Sequence, residues 1–164
     1  LRTLFPDATI LAGTTATRDA VVRHAESSGI LHIASHARFR ADNPMLSSLR
    51  LADGDLTFYD VFSLRLAADL VVLSGCNTGA VAVGAGDELH GLMRGFLYAG
   101  APSLLMSMWA ADDTATASLM RDFYSGLHNG QSKRDALRNA QLAALGREQH
   151  PYYWAPFTLL GRAT

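Results

Sequence analysis

The chain has one cysteine, Cys76, in 164 residues. An internal disulfide framework is therefore excluded, and the usage fits a reducing, cytoplasmic compartment. Charge is scarce as well: Asp, Glu, Lys and Arg make up 18% of the chain, against about 25% in an average soluble domain. That deficit predicts a surface covered by something else. There is no excess of basic residues, with 14 Lys and Arg against 15 Asp and Glu, which argues against a nucleic-acid module, since phosphate binding wants a basic face. No apolar run reaches membrane-spanning length, and no charged-then-apolar leader opens the sequence, so neither a membrane partner nor a signal peptide is expected. Residue 1 is Leu rather than Met, which reads as a piece of a longer chain.

What is present describes one domain over residues 1–164. Hydrophobic residues are 49% of the chain, too many for general disorder. A chain of this length buries roughly 68–70% of its unfolded surface without needing disulfides or a metal. Short apolar segments alternate with amphipathic ones, the pattern of an α/β fold. Ala8 to Leu11 reads as a first strand. A helix capped by Thr17 and ended by Gly29 follows, then a strand from Ile30 to His36. Leu49 to Leu51 precedes the turn Asp53-Gly54, and Leu56 to Tyr59 returns as a hairpin arm or a helix entry. Leu70 to Ser74 is the clearest strand, ending at Gly75-Cys76. A helix from about Asp87 to Ala99, a strand from Ser103 to Trp109, a helix begun by Asp112 or Asp113, a capping box at Ser132 and Asp135, and a last strand at Phe157 to Leu160 complete the reading. The expected architecture is a mainly parallel sheet with helices on both faces.

In such sheets ligands sit beyond the carboxyl ends of the strands. Two strands end in reactive side chains, His36 and Cys76. If those strands are neighbours, a thiol stands beside an imidazole, the minimal apparatus for attack on an acyl carbon. A free thiol titrates at about 8.5 and needs a neighbour to become a thiolate at neutral pH. Against this stands the commoner role of a cysteine in an α/β core, a small buried hydrophobe. The position at a strand end and the small Gly75 beside it, which lets a substrate backbone approach, favour chemistry.

Competing motifs are weaker. Gly84-Ala85-Gly86 lacks the third glycine of a dinucleotide fingerprint, because Leu89 stands there, and it does not follow a strand directly. Ser74-Gly75-Cys76-Asn77-Thr78 lacks the glycine two positions before the nucleophile of a hydrolase elbow, which ranks a glutaminase or similar acyl hydrolase low. His32 and His36 are separated by about 13 Å at strand rise, too far to chelate one metal. His32 reads as a satisfied sheet histidine, and neither metal nor cofactor is expected.

The segment Leu31-His32-Ile33-Ala34-Ser35-His36, followed by Val72-Leu73-Ser74-Gly75-Cys76-Asn77-Thr78-Gly79, resembles the CHAT domain, a caspase-like cysteine peptidase module related to separase. The likeness continues through Gly86-Asp87-Glu88, Gly91-Leu92, Phe96 to Ala101, Trp109 to Asp113 and His150 to Trp154. The resemblance implies a caspase-like α/β/α sandwich, often placed at the carboxyl end of a chain behind tetratricopeptide repeats. It implies His36 as catalytic histidine and Cys76 as nucleophile, with the backbone N–H groups of Gly75, Cys76 and Ala37 as candidates around an oxyanion. One departure stands out: the family usually has glycine where Ala37 stands, so the N–H donor survives but positive φ becomes strained. By likeness to separase, Asp113, with Asp112 second, lines a pocket that selects Arg or Lys at P1. Acidic residues at a helix start also cap it and favour its dipole, and one aspartate of the pair can cap while the other faces a pocket.

The function this implies is a cysteine endopeptidase acting on protein or peptide substrates through an acyl-enzyme, under control of a repeat or other regulatory region. His36 either assists thiolate formation or protonates the leaving amine. The alternative is a non-catalytic caspase-like interaction or signalling module that keeps the dyad residues.

Overall fold

The computed structural model describes residues 2–38, 40, 43–75, 86–109, 112–147 and 150–164, with the backbone alone for 44 and 86–91. Two sheets are present among them. The larger contains β1 (Ile30–Ile33), β5 (Leu70–Leu73), β6 (Ser103–Ser107) and β7 (Phe157–Gly161), in the order β1-β5-β6-β7. β1, β5 and β6 are parallel, and β7 closes the edge antiparallel to β6. The smaller sheet is an antiparallel meander of β2 (Ala37–Arg38), β3 (Ser48–Leu51) and β4 (Gly54–Thr57).

Strand alternation divides the core. Val71, Leu73, Leu104 and Met106 point to one face, where they meet Val61, Leu92 and Phe96 from α2 (Phe58–Phe62) and α3 (Gly86–Tyr98). Leu70, Val72 and Leu105 point to the other, against Leu119, Phe123, Leu137 and Ala140 from α4 (Asp113–His128) and α5 (Lys133–Arg147). Successive side chains on a strand leave opposite faces, so a strand buried on both sides needs a continuous apolar run. Leu70 to Leu73 supplies one, each residue at most 5% exposed. Helices on both faces of a mainly parallel sheet give the expected α/β/α arrangement, consistent with a caspase-like fold.

Local chemistry fixes the element ends. The Thr17 hydroxyl accepts from Ala20 N (3.3 Å) at the start of α1 (Arg18–Ala25). The hairpin turn at Ala52-Asp53 closes through Gly54 at φ 146°, a conformation that favours glycine. Leu56 to Tyr59 takes both of its expected forms in turn. β4 runs to Thr57, whose N–H donates to Asp60 Oδ2 (2.8 Å) while Asp60 N donates to Thr57 Oγ1 (3.3 Å), a capping box that starts α2. α4 and α5 pack closely at Gly126, where a β-carbon would come within 2.9 Å of the Ala136 side chain.

Two expectations are corrected. Ala8 to Leu11 is not a strand: Ala8 N bonds back to Phe5 O (3.1 Å) in a turn, Ile10 is 47% exposed, and the segment pairs with none of the described strands. A groove of about 1310 Å³ separates it from the outer edge of β1. Apolar residues of strand propensity make a strand only where a partner completes the ladder. Likewise β1 ends at Ile33 rather than His36, because the chain turns at 34–36 to begin β2 in the second sheet.

Candidate functional site

The parallel pairing of β1 with β5, from Ile30 opposite Leu70 to Ile33 opposite Leu73, sends both strands to the same edge of the sheet. β6 ends there too, with Met106 opposite Leu73. The pairing continues one residue past β5, where Ser74 N donates to Ile33 O (3.2 Å). At the next residue the two chains touch. A β-carbon on Gly75 would overlap the backbone N, C and O of Ser35. Glycine is required at 75 because the Ser35 backbone occupies the space a side chain would need. The space at Gly75 expected to admit a substrate backbone is instead taken within the fold by the backbone of Ser35, the residue preceding His36.

His36 is held through its backbone. Arg50 N donates to the His36 carbonyl (2.8 Å), and the Ser35 hydroxyl donates to the Arg50 carbonyl. β3 thereby clamps both residues, and the His36 side chain is exposed. Ala37 is a buried residue of β2 paired with Leu49, so alanine sits in extended backbone, where no positive φ is asked of it. Cys76 lies outside the described residues. Its place on the candidate site therefore rests on the sequence, next to Gly75.

The acidic pair separates into two environments. Asp112 is the N-cap of α4: its carboxylate accepts from Ala115 N (2.8 Å). Asp113 is the first residue of that helix and is exposed. Because α4 follows β6, it begins beyond the edge at which β1 and β5 also end. Among the described residues, no group of three or more His, Cys, Asp and Glu side chains is gathered to hold a metal.

The same edge carries a partly buried polar chain that the sequence alone does not reveal. His32, satisfied as the sequence implies, bonds at both ring nitrogens: Nε2 to Ser74 Oγ (2.7 Å) and Nδ1 to the Tyr124 hydroxyl (2.9 Å). The Tyr124 ring stacks on the imidazole with centroids 5.7 Å apart. Burial removes water from both rings, so the His32 pKa falls to about 4 and the Tyr124 phenol is pushed well above its usual value. Strand register supplies part of the signal. His32 lies opposite Val72, so His32 and Ser74 share a face of neighbouring strands. Tyr124, distant in sequence, carries no local signal.

Comparison with known proteins places the chain in a family. The family model described as the CHAT domain matches residues 1–162. Among curated proteins, tetratricopeptide repeat protein 28 of Mus musculus is 36% identical over 138 residues, and that of Homo sapiens is 35% identical over 138 residues. Each alignment covers 83% of this chain and 5% of the relative, so the chain spans about one-twentieth of the length of these relatives. With a family match along nearly its whole length, on a mainly parallel sheet flanked by helices, the chain belongs to the CHAT-domain family.

Proposed function

We propose that this domain is a cysteine endopeptidase that works through a His36–Cys76 dyad. The observation that supports it best is the contact of the Ser35 and Gly75 backbones, which brings the segments leading into His36 and Cys76 together at one sheet edge. In this reading Cys76 Sγ attacks the scissile carbonyl carbon, the amine departs with a proton, and a thioester joins substrate to enzyme. Water then attacks the thioester and restores the thiol. The exposed His36 imidazole is free to turn toward a substrate, either to take the thiol proton or to deliver one to the leaving amine. Backbone N–H groups at Cys76 and Ala37 hold the developing oxyanion, each typically worth about 2.7–4 kcal/mol in such sites.

Specificity for Arg or Lys at P1 is assigned to Asp113. With the Asp112 carboxylate engaged by Ala115 N, Asp113 is the aspartate of the pair left to meet a cation. A carboxylate matches a guanidinium bidentately. Substrates are proteins or peptides in the cytoplasm, and a tetratricopeptide-repeat or other regulatory region controls access. No described helix is long and apolar enough to cross a membrane. The test is covalent labelling by a peptidyl acyloxymethyl ketone bearing Arg at P1, with Cys76→Ala as control. Labelling of the wild type alone supports the dyad, while equal signal in both, or none in either, returns the domain to the class of interaction modules.

A further inference from the structure

β1 is the outermost strand of its sheet, and one of its two edges is open. The carbonyls of Gly29 and Ile33 accept from the β5 side, from Asp69 N (2.8 Å) and Ser74 N (3.2 Å). Backbone groups alternate between the two edges of a strand, so Ile30 and His32 turn theirs outward. Among the described residues, none bonds to them there. An unpaired strand edge is a template for another strand.

Across the groove stands a segment tied at both ends and slack between them. At its start the Phe5 ring lies edge-on to Tyr124 and His128, with centroids 5.7 and 6.0 Å apart. At its end Ala16 O accepts from Ala52 N (2.9 Å), and Thr17 caps α1. Between these ties the backbones of Thr9, Ile10 and Leu11 bond to none of the described residues, and Thr9 and Ile10 are exposed. Residues 8–11 and β1 line the same groove.

Direction and length agree with a strand at that edge. α4 runs back from the carboxyl edge of the sheet, so Phe5, against its last turns at Tyr124 and His128, lies toward the amino edge. Ala52 follows β3, which Arg50 joins to His36 at the carboxyl edge. Ala8 to Leu11 therefore travels the same way as β1. Four residues on each side span about 13 Å at strand rise. The connection, residues 12–29 with α1 inside it, exceeds the dozen or so residues that a parallel crossover needs. Val21 of α1 already shares a core with Ile33, as the helix of such a crossover does.

We propose that residues 8–11 are a strap that closes onto the outer edge of β1 as a fifth, parallel strand, the described arrangement being its open form. The proposal does not rest on the peptidase reading. Closure gives up one turn bond, from Ala8 N to Phe5 O. In exchange it pairs the outward groups of Ile30 and His32 and takes Ile10, 47% exposed, out of water. Two ties hold the strap beside the edge at an effective concentration that a free strand does not reach. The strap also stands between this edge and the β1 edge of any second copy.

Solution NMR of the whole chain tests the strap. Closure predicts backbone NOEs between residues 8–11 and 30–33 in the wild type. The reference is Ile10→Pro, which cannot donate to a ladder and is tolerated in an exposed turn. Amide exchange at Ile30 and His32 should be about 3- to 10-fold slower in the wild type than in Ile10→Pro, the ratio expected when the closed form outnumbers the open one. Ile10→Val, which keeps both the donor and the strand preference, should retain the protection. Absence of the NOEs, or equal exchange at Ile30 and His32 in the wild type and Ile10→Pro, overturns the proposal. So does protection that grows with protein concentration, because the edge is then covered by a second copy.

Discussion

Gly75 and Ser35 meet backbone to backbone, with no room for a β-carbon between them. This contact is where β1 and β5, having run in parallel, hand the chain over to the two proposed catalytic residues. Its tightness makes it a sensitive point. Gly75→Ala should destabilise the fold by about 1–3 kcal/mol, the usual cost of overpacking, and should abolish ketone labelling even at temperatures where the variant remains folded. Thermal unfolding and labelling of the same sample check both halves. A variant that labels at the wild-type rate would show that the separation of the two segments is unimportant.

His32 makes stability depend on pH in a defined window. In the folded chain it titrates at about 4, against 6.5 for the free side chain. As pH falls through 6.5 the unfolded chain gains a proton that the folded chain refuses, so stability is full above about 6.5 and declines until about 4. The loss approaches roughly 3 kcal/mol, because each pH unit between the two titrations is worth about 1.4 kcal/mol. Asp135 acts lower: the Ser132 hydroxyl holds its carboxyl below the usual value, so its contribution is lost only as pH drops beneath the ordinary carboxylate range. Urea unfolding from neutral pH to about pH 4 should show the decline in the wild type and a much flatter profile in His32→Gln.

The two aspartates at the start of α4 should separate cleanly by substitution. Asp112→Ala removes the cap on Ala115 N and should cost about 1 kcal/mol of stability. Asp113→Ala should leave stability nearly unchanged and weaken the preference for Arg or Lys at P1. A P1 substrate scan beside a melting curve measures both. An unchanged basic preference in Asp113→Ala removes that residue from the pocket.

The fold is legible where local chemistry decides. Thr17 and Asp112 cap helices by side-chain bonds that need only near neighbours, and Leu70 to Leu73 declares a doubly buried strand through its unbroken apolar run. It is illegible where a partner decides. Ala8 to Leu11 has strand composition but no ladder, and the β1 sequence continues its apolar pattern into a turn that the second sheet imposes. The site divides in the same way. Gly75 suggests the approach of a substrate backbone, whereas the backbone that approaches is that of Ser35. His32 suggests satisfaction, but its tie to Tyr124 spans 92 positions and depends on how α4 packs.

The central claim is that Cys76 is a nucleophile served by His36. The most direct measurement is mass-spectrometric mapping of the adduct formed with an Arg-P1 acyloxymethyl ketone on the wild type, Cys76→Ala and His36→Ala, each with its melting temperature. The account predicts one adduct on Cys76 in the wild type, none in Cys76→Ala, and labelling slowed by about 10²- to 10⁴-fold in His36→Ala, the range for a lost acid–base group, with all three melting within a few degrees of one another. Labelling of His36→Ala at the wild-type rate, or an adduct on another residue, would contradict it.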